Sequence, residues 1–320
     1  MILVVYSHIC HFCLGDSTMA FNDVFFLFRL PCFFFISGWL FEPVAARPLR
    51  QVVGHKFMVQ IVPTFIFLLL LAPPPEFFRQ LGALKGGYWF TFVLFEFFLI
   101  YLFTVRCCRR GGWLLALTVT VAAFWFSSCQ HQLRIVSGGY SLMPELLDAA
   151  GLLSMSMWRY YLFFYLGTWV RRHFQAFDNQ ASSPTVIFGL TVGFCVIAST
   201  AHPASHALEF LRFTIGGTVG MLMVFVWFRL AAPWMQRMAV YRWLQYIGRR
   251  TLDIYMLHYF FLPRMLMPMS HELRAADSLP LEMLTVALLS LAVTALCLIA
   301  SYVIRLNHFL GHLLFGTKKN

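Results

Sequence analysis

Charge is scarce in this sequence. Only 12% of its 320 residues are charged, and the acidic ones number 13 against 24 basic ones. A soluble domain carries about a quarter charged residues, so this scarcity excludes an ordinary water-soluble protein of the same length. The sequence also has no low-complexity stretch and no long soluble insertion. It is instead 60% hydrophobic with 36 Phe, which predicts a protein whose solvent is lipid.

Cysteines and histidines occur without a metal-binding pattern. The eight cysteines fall mostly in apolar stretches at irregular spacing, which argues against a disulfide framework and favours buried free thiols. The N-terminal HICHFC holds His8, Cys10, His11 and Cys13. On a regular α-helix the two histidines share one face and the two cysteines another, nearly opposite. One helix therefore cannot direct all four at one ion, and we predict no metal site.

Apolar runs predict an all-α protein, a polytopic membrane helix bundle of about ten transmembrane helices. The alternation of a membrane β-barrel is absent from the sequence. The predicted helix cores are residues 1–14, 24–41, 57–72, 89–104, 113–129, 160–170, 184–200, 208–228, 251–263 and 283–303.

The basic residues indicate which side of the membrane each loop occupies. The even-numbered loops and the C-terminal tail hold sixteen Lys and Arg, and the odd-numbered loops hold six. This asymmetry predicts that both termini are cytoplasmic. The net charge of +11 is then a topology signal, so we predict no nucleic-acid partner, and a role in holding an anionic cytoplasmic ligand stays open. The longest outer loop, about residues 130–159, could cover a site on the outer side.

Ionisable side chains inside lipid are costly and mark functional candidates. His8 lies six residues before the outer end of the first span, and Arg29 lies five residues after the outer start of the second. At about 1.5 Å per residue these depths match, which predicts a histidine and an arginine in one layer. The alternative is that His8 bonds a neighbouring helix and Arg29 extends to the outer interface.

Other polar residues inside the spans have plausible structural roles. A carboxylate such as Glu96 near mid-membrane needs a cationic partner or a proton. Glu209 and Arg212 are spaced for a local ion pair. Asp253 follows Arg249 by four residues and is expected to pair with it.

One further position leaves two alternatives open, and three residues of the second span have structural roles. His258 either belongs to the same polar path as Asp253 or is a satisfied core histidine. In the second span, Pro31 can kink the helix. Ser37 and Gly38 favour a close approach of two backbones.

Several segments resemble acyltransferase family 3, a group of membrane O-acyltransferases. RLPCFFFISGWLFEP resembles the family's "MPLFFFISGYL" signature, and LVVYSH resembles the end of its first helix, which closes on a histidine. Four more segments follow in the family's order and complete a resemblance over nearly the whole chain: HKFMVQIVP, YWFTFVLF, LFFYLGTWVRR and IGRRTLDIYMLHYFFLP.

The resemblance implies transfer of an acyl group, usually acetyl, from acyl-CoA to a hydroxyl of a sugar or cell-surface glycan. His8 stands at the family's essential histidine, which suits a general base. Arg29 stands where many members carry histidine and could stabilise an oxyanion. We expect Glu96 to orient one of these two. Weaker candidates for a nucleophile are Ser37 and Cys32.

A second set of residues is assigned to donor binding and support. Arg47, Arg50, Lys56 and the 229–250 loop are expected to lie near the phosphates of acyl-CoA, the donor substrate, and no bound cofactor is expected. Ser37, His258 and Arg212 are the possible supporting residues. The expected partners are acyl-CoA, the acceptor glycan and the lipid bilayer, and the expected location is the inner or plasma membrane of the cell.

The sequence departs from the family at three positions. The family has a basic residue about eleven positions before the histidine of its first helix, but Met1 lies only seven before His8, so we expect the first helix to be truncated. Gln60 replaces a common arginine, and Thr251 replaces a serine. We expect residues 1–320 to form a single membrane-embedded acyltransferase domain. A multi-pass exporter of a glycan or lipid intermediate is the alternative, and a structural or sensory membrane subunit is a third.

Overall fold

The computed structural model describes residues 1–72, 87–107, 112–136, 154–181 and 183–316. Within these ranges every regular element is helical and no strand occurs, which confirms the predicted all-α class. Residues 137–153 of the predicted outer loop lie outside the described ranges, as do six of the basic residues used to predict topology.

Fifteen α-helices follow one another in the described ranges. In order, α1 to α8 are Ile2–His8, Asn22–Ala45, Leu49–Lys56, Val62–Leu71, Trp89–Cys107, Gly112–Val136, Tyr161–Arg172 and Phe174–Ala181. The remaining helices, α9 to α15, are Pro184–Ser199, His206–Met235, Ala239–Arg249, Thr251–Phe261, Met269–Ala275, Leu279–Leu306 and His308–Phe315.

All ten predicted apolar cores coincide with helical backbone, but only some of the helices are long enough to cross a bilayer. Five candidate spans pass by length and composition within the described ranges: Met19–Ala45, Leu49–Leu71, Trp89–Cys107, His206–Met235 and Leu279–Leu306. A sixth is possible if α8 and α9, bent by 80°, form one broken span. The 11 residues of α12 cover about 17 Å of the roughly 30 Å hydrocarbon layer. The count of ten spans and the position of the termini stay predictions.

Local signals explain where several helices begin and end. Pro184 begins α9, a position where its missing N–H costs nothing. The side chain of Asn307 caps α15 by accepting from the N–H groups of Phe309 and Leu310 at 3.0 and 3.2 Å. Gly316, with φ of +62°, ends the same helix, because glycine adopts this left-handed conformation without a steric penalty.

The described chain divides into two compact units. Unit 1 comprises Met1–Arg29 and Trp227–Asn320, and unit 2 comprises Leu30–Val226. In unit 1, α14 packs against both α1 and α12. The residues from Asp253 to Tyr259 of α12 are all buried, as expected for a helix that is enclosed on every side.

Unit 2 is held together by a close helix contact and an aromatic core. Gly38 of α2 lies against the backbone of α7, where a Cβ at Gly38 would be 2.0 Å from the Phe164 carbonyl oxygen. Gly167 of α7 lies equally close to the Phe35 carbonyl oxygen, so the approach is reciprocal. This confirms the close backbone approach that Ser37 and Gly38 predicted. Stacked rings fill the space beside this crossing, such as Phe41 and Phe98 with centroids 4.2 Å apart.

Candidate active site

His8 lies where α1 changes its winding. It is the last residue of α1, and Ile9–Cys13 continues as a π-helical turn. Such turns are rare and occur frequently at functional sites. Cys10 and Cys13 are buried while His11 is exposed. The regular helical period assumed for HICHFC therefore does not hold. Within the wider turn the two cysteines face the protein interior, and His11 faces outward.

A second histidine lies directly against His8 in unit 1. The His8 Nδ1 and His258 Nε2 atoms are 2.7 Å apart, and the two rings lie at 22° with centroids 4.8 Å apart. His258 is completely buried, and its Nδ1 lies 2.7 Å from the Tyr255 carbonyl oxygen. The ring of Tyr259 packs on both imidazoles, with centroids 4.1 Å from His258 and 5.2 Å from His8.

Arg29 is fixed against α1 as well. Its guanidinium donates to the Asn22 side-chain oxygen at 3.1 Å and to the Leu3 carbonyl at 3.5 Å. The side chain thus reaches two turns back along α2 while it stays beside α1. Whether Arg29 shares a layer with His8 or extends to the outer interface stays a prediction.

The loop between α1 and α2 is held by two hydrogen bonds and an ion pair whose residues the sequence reasoning did not identify as candidates. Tyr6 donates its hydroxyl to the Ala20 carbonyl at 2.7 Å, and the buried Glu282 accepts the Ala20 N–H at 3.0 Å. Ala20 has φ of +55°, a strained conformation for a residue with a Cβ. Asp16 forms an ion pair with Arg274 of α13. These contacts hold the two segments that carry His8 and Arg29 in a fixed relation.

Asp253 anchors α12 at the end away from His258. Its carboxylate accepts two hydrogen bonds from Arg305, both at 2.9 Å, and a further one from Ser301. Arg250 lies 3.4 Å away. The predicted pair with Arg249 is wrong, because α11 ends at that residue and the helical register breaks before α12 begins.

In unit 2, Glu96 is buried near the middle of α5. Its carboxylate accepts the Trp158 indole N–H at 2.7 Å and the Ser154 backbone N–H at 3.0 Å. These neutral donors stabilise a buried carboxylate through hydrogen bonds. The expectation that Glu96 orients His8 or Arg29 stays a prediction.

Five cationic side chains of unit 2 lie in the segment that follows α2, along α3, and at the C-terminal ends of α5 and α7. We call this set the basic cluster: Arg47, Arg50, Lys56, Arg106 and Arg172. Arg47 and Arg50 are exposed, and the Arg47 carbonyl accepts from Arg106 at 2.9 Å. Arg172 pairs with Glu42 at 2.7 Å.

Within the basic cluster Lys56 has a different environment. Its ammonium lies 4.5 Å from the Phe98 ring centroid and 5.5 Å from that of Phe41. Its positive charge therefore already forms cation–π interactions with two rings. Sequence reasoning did not assign Arg106 or Arg172 to donor binding. The consecutive arginines that end LFFYLGTWVRR were the available signal.

The supporting residues named from sequence have local partners. The Ser37 hydroxyl donates to the Phe33 carbonyl at 2.8 Å, a common helical bond. Arg212 forms the predicted ion pair with Glu209 at 3.4 Å and also donates to Thr200 at 3.1 Å. Among the described residues, no group of three or more His, Cys, Asp or Glu side chains is arranged to hold a metal ion.

Comparison with known proteins gives one match. A family model described as an acyltransferase domain, that of acyltransferase family 3, matches residues 1–306. Neither a curated protein nor a solved structure matches the chain. The matched range includes every residue of the site described above.

Proposed function

Because this chain belongs to acyltransferase family 3, we propose that it transfers an acyl group, most simply acetyl, from acyl-CoA to a hydroxyl of a sugar or cell-surface glycan. The family membership and the apolar helices identify a membrane acyltransferase. The observation that carries the finer proposal is the imidazole of His8, which is held by His258 and lies on the helix whose Leu3 carbonyl accepts a hydrogen bond from Arg29.

His8 acts on the acceptor in this proposal. Its imidazole removes the proton from the acceptor hydroxyl as the oxygen attacks the thioester carbonyl carbon. A C–O bond forms, the C–S bond breaks, and the CoA sulfur leaves as a thiolate that takes up the proton from His8. Arg29 stabilises the negative charge that develops on the carbonyl oxygen. No acyl-enzyme is needed, and the Ser37 hydroxyl, bonded to a helix carbonyl, is not assigned as a nucleophile.

The basic cluster binds the donor. CoA carries phosphate groups, and arginine guanidinium groups pair with phosphates through two parallel hydrogen bonds. The exposed guanidinium groups of Arg47 and Arg50 are the first contacts, and Arg106 stabilises this corner through the Arg47 carbonyl. The Lys56 ammonium, which lies against the rings of Phe41 and Phe98, adds positive charge to the cluster. In this proposal the cluster faces the cytoplasm, where acyl-CoA is found, and the protein lies in the inner or plasma membrane of the cell.

Transfer of labelled acetyl from acetyl-CoA tests the reaction in membranes that contain this chain. We expect label to enter glycan with the wild type and to fall about 100-fold or more with His8→Ala, since general bases contribute roughly 10²–10⁴ in rate. His11→Ala is the matched control, because His11 is an exposed histidine three residues further along and should keep full activity. Equal activity of His8→Ala and wild type would exclude His8 as the base.

Donor binding is tested separately with purified protein and acyl-CoA. The double variant Arg47→Gln/Arg50→Gln should weaken binding, and the effect should shrink as salt is raised. The double variant Arg237→Gln/Arg242→Gln removes the same charge from exposed positions in the 229–250 loop, the other region expected to lie near the phosphates. Weaker binding of this variant alone would move the phosphate site to that loop. If both double variants bind acyl-CoA with the wild-type affinity, the cluster is not the phosphate site.

A further inference from the structure

The contacts of His258 determine which of its ring nitrogens carries a proton. Its Nδ1 lies 2.7 Å from the carbonyl oxygen of Tyr255 and 3.2 Å from that of Ile254. A carbonyl oxygen only accepts hydrogen bonds, so Nδ1 of His258 must be the donor. In a neutral imidazole the other nitrogen, Nε2, is then unprotonated and can only accept.

The same reasoning extends to His8. The atom 2.7 Å from His258 Nε2 is Nδ1 of His8, and a bond of this length needs one proton between the two nitrogens. Since His258 Nε2 is the acceptor, His8 Nδ1 is the donor. The remaining nitrogen of His8, Nε2, is left with an unshared electron pair. This is the form that a general base requires.

The burial and contacts of His258 hold its ring in this orientation. The residue is completely buried in α12, whose neighbouring positions from Asp253 to Tyr259 are all buried too. Its Nδ1 bonds belong to its own helix, so they persist as long as α12 does. The Asp253 carboxylate ties the start of that helix to Arg305 of α14. The ring that orients His8 is therefore fixed by the fold.

We infer that His258 is a positioning residue that holds His8 with its proton on Nδ1, so that Nε2 of His8 takes the proton of the acceptor hydroxyl. The inference rests on the proposed function for the identity of the proton donor. The tautomer itself follows from the contacts of two histidines that are 250 residues apart in the chain. A merely structural role for His258 would change the stability of unit 1 and leave the His8 tautomer unchanged.

The tautomer is measured by ¹⁵N NMR of the full chain labelled at histidine nitrogens, in detergent micelles and without substrate. The His8 signals are assigned by their loss in His8→Ala. We expect a protonated Nδ1 and an unprotonated Nε2 at His8 in the wild type. His258→Leu removes the acceptor and should convert His8 to a mixture or to the opposite tautomer. A protonated Nε2 at His8 in the wild type would overturn the inference whatever the enzyme does.

Kinetics test whether the tautomer matters. His258→Leu should lower kcat about 100-fold, within the range attributed to general bases, and leave the KM for acyl-CoA unchanged. In His258→Gln the amide oxygen can accept from His8 Nδ1, so this variant should keep kcat within about tenfold of the wild type. Leu257→Val is the packing control, since it trims the neighbouring buried residue of α12 and alters no polar group.

The outcomes separate this inference from the proposed function. A chain that transfers no label, with His8 in the expected tautomer, counts against the proposed function, because the NMR measurement needs no activity. Equal kcat for His258→Leu and wild type, in a chain that does transfer label, overturns the positioning role. Equal losses in His258→Gln, His258→Leu and Leu257→Val also overturn it, because they point to packing alone.

Discussion

A substitution at Gly38 tests the packing that builds unit 2. A Cβ at this position would lie 2.0 Å from the carbonyl oxygen of Phe164 and 2.9 Å from its carbonyl carbon. Ordinary contact begins near 3.4 Å, so α2 and α7 must separate by more than 1 Å along this direction. Because the obstacle is the backbone of a helix, no side-chain rotation can relieve the clash. We expect Gly38→Ala to destabilise the protein by about 3 kcal/mol or more, at the upper end of overpacking costs.

The expected loss is large enough to measure in detergent. For a unit of about 200 residues, 3 kcal/mol corresponds to a fall in Tm of roughly 6–12 °C. The matched control is Gly54→Ala in α3, because a Cβ there meets nothing within 4 Å. That variant should be neutral or gain up to about 1 kcal/mol from helix propensity. A Gly38→Ala protein with the Tm of the wild type would show that the two helices do not touch at this crossing.

The reciprocal glycine provides a second check on the same contact. Gly167→Ala should also destabilise, since its Cβ would lie 2.0 Å from the Phe35 carbonyl oxygen. Once the first substitution has separated the helices, the second meets less obstruction. The double variant should therefore lose less stability than the two single losses added together. Strict additivity would mean that the glycines act at independent sites.

Three further predictions concern polar groups. Asp253→Ala should lower the free energy of unfolding by about 3–5 kcal/mol, because it leaves the partly buried Arg305 charge without its carboxylate. The loss is measured as a fall in Tm, and a wild-type Tm would refute the pairing. Burial raises the pKa of Asp16, but the hydrogen bonds from the Thr18 hydroxyl and backbone, together with the hydrogen bond and charge of Arg274, outweigh it and leave the pKa below 3.8. The stabilisation from Asp16 is thus complete above that value and lost as pH falls through the lower folded pKa, so Asp16→Asn should be less stable than wild type near pH 6 and equally stable in strong acid. Glu96→Ala should lower Tm, since two N–H donors lose their acceptor at about 1–3 kcal/mol each, and Glu96→Gln, which keeps an acceptor oxygen, should lose less.

Local features of this protein could be predicted from the sequence. The long apolar runs predicted the helices, and each predicted core is helical in the structure. The pairing of Glu209 with Arg212 and the approach at Gly38 also followed from short spacings. The ion pair depends on residues within one helical turn of each other, and the approach at Gly38 depends on a local run of small side chains that permits it. The period of the helix and the size of the side chain are enough to specify them.

Features that join distant segments could not be predicted in this way. Asp253 pairs with Arg305, 52 residues away, because the break before α12 turns the carboxylate away from Arg249. The π-helical turn after His8 altered the period on which the faces of HICHFC were assigned. In unit 2, the carboxylate of Glu96 meets an indole N–H 62 residues away. The sequence gives the polarity of these side chains and has no local signal for their partners.

The sequence by itself determined that this chain is a helical membrane protein of acyltransferase family 3 with a candidate histidine at position 8. Only the tertiary structure placed His258 against that histidine, across 250 residues of chain. The reason is physical: helical periodicity fixes which residues share a face, but the depth and rotation at which two helices pack depend on every contact between them. The 2.7 Å contact that orients His8 is a product of that packing.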